Sequence, residues 1–510
     1  MINQLRCLKI FTLNICLFGC LTIIQAQSIV SIDQIVNETV VNNPQIKVSL
    51  QNLEYSKGSY RIARSSFNTN LRLTGQSSKS LSPNSLDDSN DPTESKQWSY
   101  TISASRKIAF GTVITPILGV YNPGQVIDGI ETNSGSAFVN FQQPILRGLG
   151  TTYNTAGLRV AELDISSQEH RYFFDASSLI LQALSSYIEY ISAQLNLRIQ
   201  METEASMSET VRQMTRLVEL DAIPRSELVV SQANLANQRT STALAQNRLA
   251  LSQNLLATAM GLTLEEVLAM GQVPSNFPMS TSLIKIDENY SNAWFAESMH
   301  LRHDYLATVY EQEASVIGLD YSKKGMLPRL NLTFGAGYNG LYESQALEQY
   351  YRPFVSNVPG MNYNIGLTFD IAPRYDFEKG RRIQALALNE AADANLEFLQ
   401  LQIKKEIQRD CDKIKFLLGA TESVNEAVEF SNTALLNEKK KLDLGFSTAF
   451  NVALMQNSYL NALERQNGLI EQLNQAILQF KHHTGTLLDA TGNNTFTVNS
   501  NQLFLLPESP

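Results

Sequence analysis

Asn362-Tyr363-Asn364-Ile365-Gly366-Leu367-Thr368-Phe369-Asp370-Ile371 alternates without a break between large apolar side chains and small or polar ones. Successive residues of a strand point to opposite faces, so this run predicts a strand with one apolar and one hydrophilic face. Leu330, Leu332, Phe334, Ala336 and Tyr338 repeat the pattern against Asn331, Thr333, Gly335, Gly337 and Asn339. Each run has about ten residues, the length of a tilted strand that crosses a bilayer. Lipid outside and water inside would suit the two faces. The first half of the chain holds four more such runs, at about 69–78, 97–108, 112–121 and 136–145. Aromatic residues mark their ends (Trp98, Tyr100, Tyr121, Tyr338, Tyr363). The segments Ser82–Lys96 and Tyr121–Gly135 are polar and turn-rich and are expected as extracellular loops, whereas Ala109–Gly111 is expected as a tight periplasmic turn. An ordinary antiparallel sheet with one wet face reads similarly. So few strands per chain could span a membrane only by closing with copies of themselves, because an open sheet edge cannot face lipid.

The N-terminus favours the envelope. Arg6 and Lys9 precede an apolar run from Ile10 to Ile24, and Ala26 is a small residue suited to cleavage, so residues 1–26 are expected to be an export signal. Leu17-Phe18-Gly19-Cys20 loosely resembles a lipoprotein cleavage box, but the apolar run continues past Cys20. Cys411 is then the one cysteine of the mature chain, and an internal disulfide is impossible. No later stretch reaches the length of a membrane-spanning helix. A net charge of −9 and the lack of a basic stripe argue against nucleic acid as a partner.

The chain is written twice. An offset of 259 residues separates Pro44 from His303 and also Leu71 from Leu330. Gln143-Pro144 with Gly148 recurs as Ala372-Pro373 with Gly380. Each half then has a long helical region, a break at Asp221–Pro224 or Gly445, and a second helix ending in glycine. Asp221 to Gly261 and Gly445 to Gly485 are each 40 residues, which predicts paired helices that stay level. The boundaries expected are a first repeat over 27–268, a linker over 269–289, a second repeat over 290–488 and a tail over 489–510. About Thr152 to Val218 has no proline and predicts a helix of roughly 100 Å. Heptad columns run through Ile407, Ile414, Thr421, Val428, Leu435 and Leu442, with Ile403, Leu417 and Val424 beside them. Leu228, Leu235, Leu249 and Leu256 form another, flanked by Ala236, Ala243, Ala250 and Ala257. Spacing by seven turns an apolar seam toward a partner helix, and alanine permits close approach.

Taken together these motifs resemble the TolC-type outer-membrane efflux proteins over essentially the whole mature length. The resemblance rests on Asn43-Pro44, on Pro328-Arg329-Leu330-Asn331-Leu332, and on Gln143-Pro144-Ile145-Leu146-Arg147-Gly148. It also rests on two hairpin tips, Leu220 to Leu228 and Leu444-Gly445-Phe446-Ser447. The fold implied is a mixed α and β membrane protein with an internal two-fold repeat: a trimeric transmembrane β-barrel continued by a long α-helical coiled-coil tunnel in the periplasm. The resemblance further implies twelve strands, four per protomer, and a passive gated exit duct of an efflux pump or type I secretion system in the Gram-negative cell envelope. The partners implied are two further copies (a homotrimer), outer-membrane lipid, a periplasmic adaptor and an inner-membrane pump. Asp221, Ile223, Pro224, Gly445, Phe446 and Ser447 become the expected adaptor-docking tips. Where the family often has acids at its periplasmic entrance this chain has Asn451 and Leu454, so a gate there would close by packing and hydrogen bonds. Asp221 stands in place of a tip glycine, His303 and Thr69 in place of prolines, and the hairpin 97–121 exceeds the family's strand count.

Catalytic chemistry is not written into the chain. There is no phosphate-binding loop, dinucleotide-binding glycine pattern or nucleophile elbow, so neither enzyme nor cofactor is expected. His482 and His483 are adjacent and expected as surface residues, and His300 with His303 lacks an obvious third ligand, so no metal site is expected. Lys439-Lys440-Lys441 fits a solvated helix end that complements the helix dipole. A coiled-coil scaffold without a pore is the rival reading, and it predicts a soluble protein.

Overall fold

The computed structural model describes residues 30–509, apart from 83–92, 125, 128–129, 222, 272, 275, 279–285, 344–346, 356–359 and 493–494. The expected signal peptide and Cys20 lie outside the described residues. The first half begins with α1 (Ile32–Asn42) and α2 (Pro44–Ser65). β1 (Asn70–Ser82), β2 (Thr93–Lys107), β3 (Val113–Asn122), β4 (Val126–Ile127) and β5 (Ile130–Pro144) follow. Then come α3 (Thr151–Asn154), α4 (Ala156–Glu219), α5 (Arg225–Met260) and α6 (Leu264–Ala269). The second half has α7 (Glu288–Leu301), α8 (His303–Gly325), β6 (Arg329–Glu343), β7 (Gly360–Asp370), α9 (Asp376–Asp443) and α10 (Ala449–Thr484). A small hairpin, β8 (Asp489–Gly492) and β9 (Thr495–Thr497), ends the regular structure.

The long helices are continuous because nothing in them stops the hydrogen-bond ladder. α4 has 64 residues and α9 has 68, each about 100 Å long. Proline occurs in neither. α4 pairs with α5 and α9 with α10, and the two hairpins meet along α4 and α10. The heptad columns bury in part: Ile403, Ile407, Ile414, Leu417, Val424 and Leu435 are all below 7% exposed, whereas Thr421, Val428 and Leu442, and Leu228 and Leu249 on α5, are half-buried. The alanine column largely does not. Ala236, Ala243 and Ala250 stay exposed on the protomer, and only Ala257 is buried.

Two apolar cores sit where short and long helices cross. One gathers Ile35, Ile180, Leu184, Ile188, Leu256 and Met260. The other gathers Trp294, Ile403, Ile407, Ile414, Ile477 and Phe480. Residues between the repeats and after the last helix contribute to both: Val273, Phe277, Leu503 and Phe504 to the first, Ile286 and Leu506 to the second. Each such side chain removed from water is worth about 1.5–3 kcal/mol.

The repeat is visible in its joints. α5 and α10 both end in a left-handed glycine, Gly261 (φ 73°) and Gly485 (φ 78°). The following amides reach back to Ala257 and Lys481 carbonyls at 2.9 and 2.8 Å, completing the same helix-ending motif twice. Gly261 presses on Asn43 and Pro44 at the α1–α2 joint, and Gly485 presses on Leu301 and Arg302 at the α7–α8 joint. Asn43 and Arg302 occupy equivalent places in the two halves. Asn43 Nδ2 donates to the Ala259 carbonyl at 2.7 Å, and Arg302 Nη1 donates to the His483 carbonyl at 3.2 Å.

Candidate channel and entrance

The six long strands form one antiparallel sheet in the order β1-β2-β3-β5-β6-β7, with β4 a two-residue addition to β5. The four strands per protomer implied by the resemblance are therefore exceeded: β2 and β3 lie inside the sheet, between β1 and β5. The registers align every apolar row on one face. Leu73 stands opposite Ile102, Ile102 opposite Leu118, Leu118 opposite Ala137, Ala137 opposite Tyr338 and Tyr338 opposite Met361. The other face carries Thr74, Thr101, Gly119, Ser136, Asn339 and Gly360 in the same order. On β7 the apolar row is fully displayed: Tyr363, Ile365, Leu367 and Phe369 are 81, 73, 66 and 56% exposed. Far from the helices, Tyr350 folds back onto this apolar face, its ring 5.1 Å from that of Trp98. Among the described residues neither edge strand, β1 or β7, has a second partner.

At the opposite end lie the two hairpin tips. Asp221 adopts a left-handed conformation (φ 52°), which aspartate tolerates better than most residues, and its amide donates to the Val218 carbonyl at 3.0 Å. Pro224 then opens α5, with Ile223 half-buried before it. The second tip turns at Gly445 (φ 79°), and nothing lies near where a side chain would stand. Leu220, Leu444 and Phe446 are 76, 71 and 82% exposed, an apolar set at both tips. Ser447 donates to Glu438 at 2.5 Å, and the exposed Asn451 side chain donates to Ser447 Oγ at 3.5 Å. Leu454, one turn further on the same side of α10, is 52% exposed. Gln200, 21 residues before Asp221, bonds Glu464, 19 residues after Gly445. At about 1.5 Å per residue the tips are thus within a turn of level.

The comparisons with known proteins agree with this geometry. No protein-family model matches the chain, and no curated protein sequence does. Solved structures do match. The outer-membrane channel OprN is 15% identical with a TM-score of 0.67, covering 89% of this chain and 90% of its own. VceC of Vibrio cholerae is 16% identical with a TM-score of 0.65, covering 89 and 96%. The open state of MtrE from Neisseria gonorrhoeae is 13% identical with a TM-score of 0.63, covering 89 and 88%. The fold is that of the outer-membrane channels. The resemblance carried by the sequence motifs thus extends to the backbone over 89% of the chain.

In this outer-membrane channel fold the α4–α10 seam joins the two repeats. Near the short helices it is apolar, with Leu478 packed among Ile180, Leu184 and Ile188. Toward the tips it becomes polar. Ser192 Oγ donates to Glu471 at 2.5 Å, Asn467 Nδ2 donates to the Ser192 carbonyl at 2.9 Å, and Gln200 Nε2 donates to Glu464. Burial pushes both glutamates above the usual carboxylate range, outweighing the bonds from Gln200 and Ser192. Arg248 also opposes the shift at Glu471, and Glu189 adds to it.

The histidines correct the sequence reading. His482 is 7% exposed, buried against Ser177 at 2.8 Å, and burial pulls it down to about 4. His303 contacts His170 at 2.8 Å and is likewise held down to about 4, chiefly by burial. His483 faces the buried Asp410 at 2.5 Å. Adjacent helical residues sit about 100° apart, so His482 is buried and His483 half-buried only because the helix is covered on two sides, and sequence alone does not show that. No group of His, Cys, Asp or Glu able to hold a metal occurs among the described residues. No described helix is long and apolar enough to cross a membrane. A buried cluster was also missed: Arg302 (4% exposed) bonds Asp304 and Glu406, both at 2.8 Å. The motif Arg302-His303-Asp304 was its signal, but the third member lies 102 residues after Asp304.

Proposed function

We propose that three copies of this chain form a passive exit duct, with its barrel in the outer membrane and its helices as a tunnel in the periplasm. A periplasmic adaptor docks at the tips and an inner-membrane pump supplies the energy. The observation that carries this reading is the sheet: six strands share one apolar face that is largely exposed, and among the described residues its two edges are unpaired. Such a face needs lipid, and such edges need strands from other copies. The helices support it too. Ala236, Ala243, Ala250, Leu244 and Leu251 on α5 are exposed, as are Phe416 and Phe430 on α9, so each flank offers an apolar strip to a neighbour. Detergent extraction of purified outer membranes is expected to release a trimer by native mass. A soluble monomer absent from that membrane would return the chain to the scaffold reading.

The tips are the proposed docking site and Asn451 with Leu454 the proposed gate. Opening moves the α9–α10 hairpin away from α4, and it starts where the seam is polar, because separating hydrogen bonds into water costs less than exposing apolar surface. Gly445→Val is expected to abolish export while leaving the trimer intact: its left-handed turn is strained by a β-branched residue, yet no neighbour is displaced. Normal export by that variant would remove the tip from the docking site.

The seam also has a pH sign. A carboxyl with a raised folded-state pKa binds more protons folded than unfolded. Its contribution is most favourable in acid and declines as pH rises from about 4.5 through the raised value. The open probability of the duct in planar bilayers is therefore expected to rise across that window. Glu464→Gln with Glu471→Gln should flatten the response and leave the duct more closed near neutrality. An unchanged pH response in the double variant would detach gating from this seam.

A further inference from the structure

We infer that β2 and β3 are staves of the barrel, so that the outlet closes with eighteen strands, six from each of three copies, rather than twelve. This rests on the duct reading above, and three observations within the chain support it. The first is register. β1 pairs with β2 over all of Asn70–Ser82, β2 pairs with β3, and β3 pairs with β5 from Val113 to Tyr121, so the hairpin separates strands that would otherwise be neighbours. A hairpin folded elsewhere would leave β1 free to meet β5. The second is facing. Ile102, Ala104, Ile114, Pro116 and Leu118 continue the apolar row of β5, β6 and β7, while Ser99, Thr101, Ser103, Thr115 and Gly119 continue the polar row, which only Ile117, opposite Phe138 of β5, interrupts. Because a slip of one residue would exchange the faces, agreement across five ladders is a constraint, and an unrelated sheet has no reason to obey it. The third is level. The β2–β3 turn reaches the helical end, where the Gly150 amide donates to the Phe110 carbonyl at 3.1 Å. At the other end Trp98 and Tyr100 join Tyr350 in an aromatic cluster, as at a membrane boundary. The hairpin therefore spans the same height as its neighbours.

Pro116 would ordinarily argue against an interior strand. The structure accommodates it: the β2–β3 ladder is interrupted between Ser103–Ile117 and Arg106–Ile114, so the missing amide falls in the gap.

The consequence concerns cargo. Barrel diameter grows roughly linearly with strand number, so the outlet would be about 1.5 times as wide as a twelve-stranded one, in the range that holds an aqueous channel. The middle of its polar face is mostly Thr, Ser, Asn, Gln and Gly, broken by the apolar pair Ile117 and Phe138, with Arg72, Lys107, Arg329 and Asp370 near the helical end and Glu343 at the other. Selection by size or charge then falls to the helical tunnel and its tips.

Single cysteines test this in the otherwise native mature chain, since Cys411 is buried and burial pushes its thiol up to about 12. Ile102→Cys and Leu118→Cys report the apolar face of the hairpin, Thr101→Cys its polar face, and Leu367→Cys on β7 is the reference. In outer-membrane vesicles a membrane-impermeant maleimide is expected to label position 101 and to react roughly tenfold or more slowly at 102, 118 and 367, because a thiolate does not form in hydrocarbon. Fast labelling at 102 and 118 with protection at 367 would put the hairpin outside the membrane and restore a twelve-stranded barrel. Fast labelling at 367 as well would overturn the duct itself. Strand counting by electron microscopy of the detergent-extracted trimer gives eighteen or twelve directly, whatever the variants do.

Discussion

Arg302→Ala is expected to lower the stability of the folded chain by about 3–5 kcal/mol, the usual loss when one partner of a buried ion pair is removed. Arg302 is 4% exposed and holds Asp304 with two nitrogens, Glu406 with a third bond, and the His483 carbonyl. Without it two carboxylates and a helix-end carbonyl are left in a half-dry site. Glu406 shows the balance in the native chain: burial pushes its carboxyl up, and Arg302, joined by His483 and Gln402, outweighs that and holds it below the ordinary range. Arg302→Lys should recover only part of the loss, because an ammonium cannot reproduce the planar fork. The measurement is denaturant unfolding of the detergent-extracted protein followed by circular dichroism. A variant as stable as the parent would mean that the cluster is neutral and that apolar packing alone holds the joint.

Gly485→Ala is the second large effect, and Gly445→Ala is its control. The two glycines share nearly the same backbone, φ 78° and 79°. Left-handed backbone costs a side-chain-bearing residue about 1–2 kcal/mol at either position. At Gly485 the new methyl would also stand 2.8 Å from the Leu301 carbonyl carbon and 3.0 Å from the Arg302 nitrogen, both backbone atoms that cannot swing aside. Overpacking of that kind adds about 1–3 kcal/mol. At Gly445 nothing lies within 4 Å. Gly485→Ala should therefore unfold at clearly lower denaturant than Gly445→Ala, and Gly261→Ala should behave like the former because its methyl would meet Asn43 Cα at 2.8 Å. Equal losses at all three would show that backbone strain alone sets the cost and that the joint has room.

What the sequence determined by itself was everything periodic. Alternation located six strands and assigned the faces of β6 and β7, because in a strand the face follows directly from the residue number, although β2 and β5 begin inside segments that read as loops. The heptads of α9 marked Ile403, Ile407 and Ile414 as buried, and 0% exposure at each agrees. The repeat offset predicted matching joints, and Gly261 with Gly485 and Asn43 with Arg302 are those joints. Tertiary structure decided what depends on partners distant along the chain. Ala236, Ala243 and Ala250 share the heptad spacing of Leu235 and Leu256, yet they face outward, since α5 has only α4 along most of its length in the protomer. His482 looked like a surface residue until α4 was laid against it through Ser177. The hairpin of β2 and β3 could be read as strands but not placed, because pairing order depends on hydrogen bonds between strands, and composition carries no record of which edge meets which.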